Sequence, residues 1–223
     1  MGLFSFFLGR KSAQFTERIW LTTERKLADL VGRVRADRAA GVCPVVIAHF
    51  RATHMVLARA FEQAGVTCHV ISGAPLPVTF PAEWQTRDVV LLLSQETSFS
   101  PETRAGEVQP KNAQLRPAAI HLAEHYPLPK RDQQILDLDR SWSMPLTFTC
   151  YTGLDEAWLQ PFGVDRLIQI LKRLDIKDDE VLTHNYLNNS LRSAQVKLAA
   201  KIEHEQRCED CAQWMRINFQ ARG

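Results

Sequence analysis

No apolar run in the 223 residues reaches the roughly 18–20 needed to cross a bilayer. No block of like charges occurs and the formal net charge is only +2, so the composition demands neither nucleic acid nor an anionic surface as partner. The GxxxxGK[ST] loop is absent, and with it the backbone cradle and the hydroxyl that hold phosphates and magnesium. G-x-S-x-G is absent too, which leaves Ser94 and Ser98 without a nucleophile elbow. Cysteine is sparse: there are five, an odd number, and Cys43 and Cys68 fall in apolar runs. With no cleavable signal peptide, that usage points to reduced thiols in the cytoplasm. Internal repeats and low-complexity segments are also lacking.

What is present suffices for a core, since 45% of the chain is apolar. Residues 24–40 place Leu27, Leu30, Val31 and Val34 at helical spacing, and Gly41 stops the run. Residues 44–50 form a continuous apolar stretch of strand length, as expected of a strand covered on both faces. A helix over 52–63 and strands over 68–72, 88–94, 118–123 and 146–151 follow, with a short helix at 130–138. This alternation predicts a doubly wound parallel sheet. Residues 74–81 and 95–117 read as loops. Beyond Asp155 strands vanish; a helix is expected over 165–174, then one long helix or two in line over 182–219.

Several side-chain groupings invite a function. His49 stands at the C-terminal tip of a strand, where parallel sheets take their ligands, and His54 lies one turn into the next helix. The pair would converge on a small anion; the plainer role for His49 is to cap a loop or bond a backbone carbonyl. Trp142, Trp158 and Phe162 cluster in sequence at the junction of sheet and helices, either as packing or as an exposed partner groove. Arg116, Lys130, Arg131 and Arg140 make a basic patch or a solvated face. His204, Cys208 and Cys211 share one face if the segment is helical, yet offer three ligands where structural zinc takes four. Residues 1–11, Met-Gly-Leu-Phe-Ser-Phe-Phe-Leu-Gly-Arg-Lys, resemble an interfacial anchor, with a frayed or docked end as the alternative. Gly2 with Ser5 misses the myristoylation spacing by one residue.

Three blocks resemble the second RecA-like motor domain of superfamily 2 ATPases, in particular the bacterial protein-export motor SecA. They are residues 20–27 through 44–50 and 64–71, residues 131–166 from Asp132-Gln-Gln to Phe162-Gly-Val-Asp-Arg, and residues 167–197. The resemblance implies an α/β fold: a RecA-like parallel sheet with flanking helices over residues 19–153, followed by a helical scaffold-like C-terminal extension over 154–223, with 1–18 a separate apolar and basic segment. It also implies what has gone. The family's glycine-rich nucleotide loop Thr-Asn-Met-Ala-Gly-Arg-Gly-Thr-Asp is replaced by Ser94-Gln-Glu-Thr-Ser-Phe-Ser-Pro-Glu102. Where the family carries arginines against the transferring phosphate, this chain has Leu136, Leu138 and Ser141, with Arg140 one residue away from an expected position. The expectation is a catalytically inactive, pseudo-ATPase module without cofactor or catalytic residues. It would act on a protein partner (a translocase or motor component, or a second copy) from the cytoplasm or the periphery of the inner membrane. Two alternatives stay open: a nucleic-acid-binding lobe remnant, which the charge balance disfavours, and an enzyme with a repurposed site at the strand tips.

Overall fold

The computed structural model describes residues 13–71, 73, 79–97, 115–142 and 144–220. The N-terminal segment 1–11, Ser98 and most of the loops at 74–81 and 95–117 lie outside the described residues. Six strands form one sheet: β1 (Thr16–Trp20), β2 (Cys43–Ala48), β3 (Cys68–Ile71), β4 (Val89–Leu93), β5 (Ala118–Leu122) and β6 (Leu146–Gly153). The order is β1-β6-β5-β2-β4-β3, and every neighbouring pair is parallel. The helices are α1 (Thr23–Ala39), α2 (Arg51–Gln63), α3 (Pro129–Leu136), α4 (Leu138–Ser141), α5 (Val164–Arg173), α6 (Asn185–Ala199) and α7 (Cys211–Trp214). This is the α/β, RecA-like architecture the sequence predicts.

The apolar runs become central strands because both faces of the sheet are covered. All six residues of β2 and all five of β4 are buried. Val45 and Ile47 point into a core closed by Ile135, Leu138 and Trp142, whereas Val46 and Ala48 pack under Leu30, Val34, Leu57 and Phe61 of α1 and α2. Period-two alternation thus serves two apolar layers rather than one apolar and one wet face.

A third core caps the C-terminal ends of the strands. Ile19, Leu21, Phe50 and Tyr126 from the sheet side meet Trp158, Leu191, Leu198 and Trp214 from the helical segment. The segment over 182–219 is not continuous helix. α6 stops at Ala199, and α7 begins only at Cys211 before a π-helical turn, Met215–Phe219. Between them the chain is pinned by Asn218. Its carboxamide accepts from the Gln206 amide at 2.7 Å and donates to the Gln206 carbonyl at 3.0 Å. Asp210 then caps α7 through the Gln213 amide, while Gln213 accepts from the Glu209 amide.

Close approach fixes the other junction. Asp155 accepts from both the amide and the hydroxyl of Thr23 at 2.7 Å, capping α1 from the far end of β6. A Cβ on Gly153 would stand 2.6 Å from that carboxylate and 2.8 Å from the Thr23 nitrogen, so only glycine fits.

Candidate functional site

In doubly wound sheets ligands settle beyond the C-terminal strand ends, where two adjacent strands lead off in opposite directions. Here that point lies between β2, which continues towards β3, and β5, which continues towards β6. The crevice is filled by the protein's own side chains.

Asp132, on α3, is the hub. One carboxylate oxygen accepts from His49 Nε2 at 2.9 Å and the Tyr126 amide at 3.0 Å. The other meets His125 Nδ1 at 2.6 Å and Gln195 Nε2, from α6, at 2.8 Å. His49 Nδ1 continues to Ser94 Oγ at 2.7 Å, and His125 Nε2 to the Glu17 carboxylate at 3.0 Å. These groups come from β1, the ends of β2 and β4, the loop after β5, α3 and α6, and all are buried. Burial opposes ionisation of Asp132, but His125 and the bonds from His125 and His49 outweigh it and hold the carboxyl well below the usual range. For His125 burial likewise opposes charge; the Glu17 and Asp132 carboxylates prevail and raise it well above an ordinary imidazole.

A second carboxylate, Glu124, follows β5 directly. It accepts from the His49 and Phe50 amides at 3.0 and 3.1 Å and from the Thr53 hydroxyl at 2.5 Å. α2 has no side-chain cap of its own, so Glu124 supplies negative charge at its start. Burial pushes Glu124 up, partly countered by Lys26 and Thr53. Lys26 is itself buried and lies 2.5 Å from Glu156, which also receives the Gly153 amide and the Trp158 indole. Burial would lower Lys26, but Glu156 and Glu124 raise it.

The C-terminal strap closes the crevice from outside. The Ala52 amide, in the first turn of α2, donates to the Glu209 carbonyl at 3.0 Å, and Gln95 donates to the Cys208 carbonyl at 3.1 Å. Glu205 accepts from the Tyr126 hydroxyl and from the Trp214 indole. Tyr126 stacks on Phe50 with centroids 5.3 Å apart. Amides that would greet an anion are thus engaged within the chain, that of Ala52 by the Glu209 carbonyl and those of His49 and Phe50 by Glu124.

The residues singled out from the sequence separate in space. His49 is fully buried inside the network. His54 takes no part in that network; its Nε2 has no partner, and burial lowers its affinity for a proton. Trp142 packs with Phe80 and Trp84 in the core under the sheet, whereas Trp158 sits in the core at the strand tips, so the two do not form one exposed set. Phe162 is 37% exposed. Arg140 is exposed and lies 3.5 Å from Asp137 one turn back, and Arg131 lies over the Tyr126 ring. Leu138, at a position where the resemblance calls for arginine, is buried against Ile135 and Trp142. His204 and Cys208 lie in the irregular strap and only Cys211 is helical, so the three do not share a helix face.

Sequence reasoning missed Asp132, Glu124, Glu17 and Gln195 as a site. The available signal was polar residues placed directly after an apolar strand, Glu124-His125 behind 118–123. Glu17 gave none, because Thr16-Glu-Arg-Ile-Trp20 does not read as a strand.

No family model matches the chain. Among curated proteins it is similar to protein translocase subunit SecA 1 of Nitrobacter hamburgensis, with 28% identity over 117 residues, 52% of this chain and 12% of that protein. It is also similar to SecA of Rhodopseudomonas palustris, with 24% identity over 142 residues, 63% and 15% respectively. A shorter match of 51 residues at 39% identity joins it to SecA of Afipia carboxidovorans. The relationship is SecA-like and partial. The chain spans 12–15% of the length of the first two relatives. Among the described residues no helix is long and apolar enough to cross a membrane.

Proposed function

We propose that this protein is a catalytically inactive, SecA-like interaction module, an accessory to protein translocation that works through its surface. The observation that carries this reading is the closed crevice. Asp132, His49 and His125 occupy the switch point, and the Glu209 carbonyl occupies an amide at the start of α2. A nucleotide phosphate needs free amides and cationic groups at such a place. Further support comes from Leu138, which is committed to the core, and from the missing phosphate loop.

An interaction role is supported by the helical side of the molecule. Ile170, Leu174, Tyr186 and Val196 are large apolar side chains 44–78% exposed on or beside α5 and α6. Beside them a groove of about 160 Å³ is lined by Leu154, Phe162, Leu167, Leu187 and Leu191. The partner in this reading is a translocase or motor component, or a second copy, met in the cytoplasm or at the inner-membrane periphery. Arg140, Trp142 and Trp158 are not the contact residues in this reading; Phe162 is.

Calorimetry with ATP and magnesium is the direct test. No heat of binding up to millimolar nucleotide is expected. Micromolar binding with turnover would overturn the inactive reading. Phe162→Ser should weaken capture of a translocase component by the intact protein; unchanged capture would remove this surface from the account.

A further inference from the structure

β1, β6 and the loop after β5 bring oxygen, sulfur and nitrogen donors together inside the protein. Glu17 on β1 and Cys150 on β6 are direct partners in the parallel register, so their side chains emerge on the same face. Leu122 of β5 is the next partner along, and His125 follows three residues later. The Cys150 sulfur, a His125 ring nitrogen and a Glu17 oxygen all lie within 4.8 Å of one another, and all three residues are buried. A tetrahedral zinc spaces its donors about 3.5 Å apart, so adjustments of about 1 Å close the set around an ion.

The surroundings fit a metal as well as the donors do. Asp132 holds His125 through Nδ1 at 2.6 Å, which leaves Nε2 directed at Glu17. A carboxylate behind the imidazole is the arrangement that orients metal-binding histidines. Asp132 is fixed in turn by His49, Gln195 and the Tyr126 amide. Phe15 and Trp158 meet the His125 ring edge-on at 6.2 and 6.1 Å, walling the place off from water. A mixed thiolate, imidazole and carboxylate set excludes calcium and magnesium, which take oxygen, and suits zinc.

We propose that Glu17, His125 and Cys150 bind a zinc ion that ties β1 and β6 to the loop after β5. Binding exchanges protons for metal. The Cys150 thiol loses its proton to solvent and forms a Zn–S bond, His125 forms a Zn–N bond through Nε2, and Glu17 binds through both oxygens to complete four donors.

Zinc itself is the probe. The full chain, stripped with a chelator, is titrated with zinc against a chromogenic competitor in weak buffer while pH is followed. One zinc per chain, with protons released as it binds, is expected near neutral pH. Cys150→Ser and Glu17→Gln should each weaken binding by about tenfold or more. Cys208→Ser with Cys211→Ser should leave it unchanged. Cobalt in place of zinc should give a thiolate charge-transfer absorption that Cys150→Ser removes. The proposal fails if folded protein takes up no stoichiometric zinc, if uptake survives both ligand changes, or if it depends on Cys208 and Cys211. Should Cys150→Ser not fold, Glu17→Gln and the cobalt spectrum of the native chain decide.

Discussion

The middle of the sheet and its C-terminal tips obey different rules. In the middle, Val45, Ile47, Val90, Leu92 and Ile120 pack in one apolar cluster, and a side chain of similar size and greasiness would serve. At the tips, Asp132 meets four donors from the end of β2, the loop after β5, and α6. The first region is specified by composition, the second by identity and position. A buried carboxylate with all its partners is tolerable; the same partners without it are stranded. The comparison predicts that the tips respond far more sharply to a change of one atom type than the middle does to a change of one methyl group.

The largest effect should follow Asp132→Ala. It leaves His49, protonated His125, the Tyr126 amide and Gln195 without their common acceptor in a buried place. Losing one member of a buried charged pair costs about 3–5 kcal/mol, a large share of the roughly 5–15 kcal/mol that holds an ordinary domain folded. Urea denaturation of the purified variant measures it. A loss below about 1 kcal/mol would mean that water reaches the hub freely and that the crevice is open, against the proposed function.

How far each region could be read from the sequence follows from the same contrast. Residues 44–50 and 88–94 declare themselves as strands because burial on both faces leaves an unbroken apolar run. β1 does not, since it lies at the sheet edge and its charges are matched by distant partners: Arg18 by Asp29 of α1, Glu17 by His125. The break between α6 and α7 is hidden for a related reason. No glycine or proline marks residues 199–211; the chain leaves the helix because Glu205, Gln206 and Glu209 find partners on Tyr126, Asn218 and Ala52. Asp210 with Gln213 three residues on was a legible sign of a new helix start. The polar network itself joins residues over one hundred positions apart, Glu17 with His125 being an example, and no local pattern encodes that.

Gly153→Ala tests the junction at which the two regions meet. The added methyl would press on the Asp155 carboxylate and the Thr23 amide, both tied into the cap of α1. Overpacking of this kind costs about 1–3 kcal/mol, and the loss should be visible both as a lower midpoint and as faster hydrogen exchange in the first turn of α1. An unchanged midpoint would show that the 155–156 turn can shift without consequence and that the tips are looser than the hydrogen bonds imply.

Ile47→Val should have the smallest effect and sharpens the contrast most. Ile47 is fully buried at the centre of β2, in register with Leu92 on one side and Leu122 on the other. Removing one methylene leaves a small cavity among flexible apolar neighbours, at a cost of about 0.5–1.5 kcal/mol. β-branching is kept, so the strand conformation is undisturbed. Two residues on, just past the end of β2, stands His49, where no substitution can be so gentle, because each ring nitrogen has its own partner. Measured under one set of conditions, a His49→Gln loss no larger than that of Ile47→Val would erase the distinction between sheet and tips, and with it the reason for regarding the crevice as closed by design of the sequence.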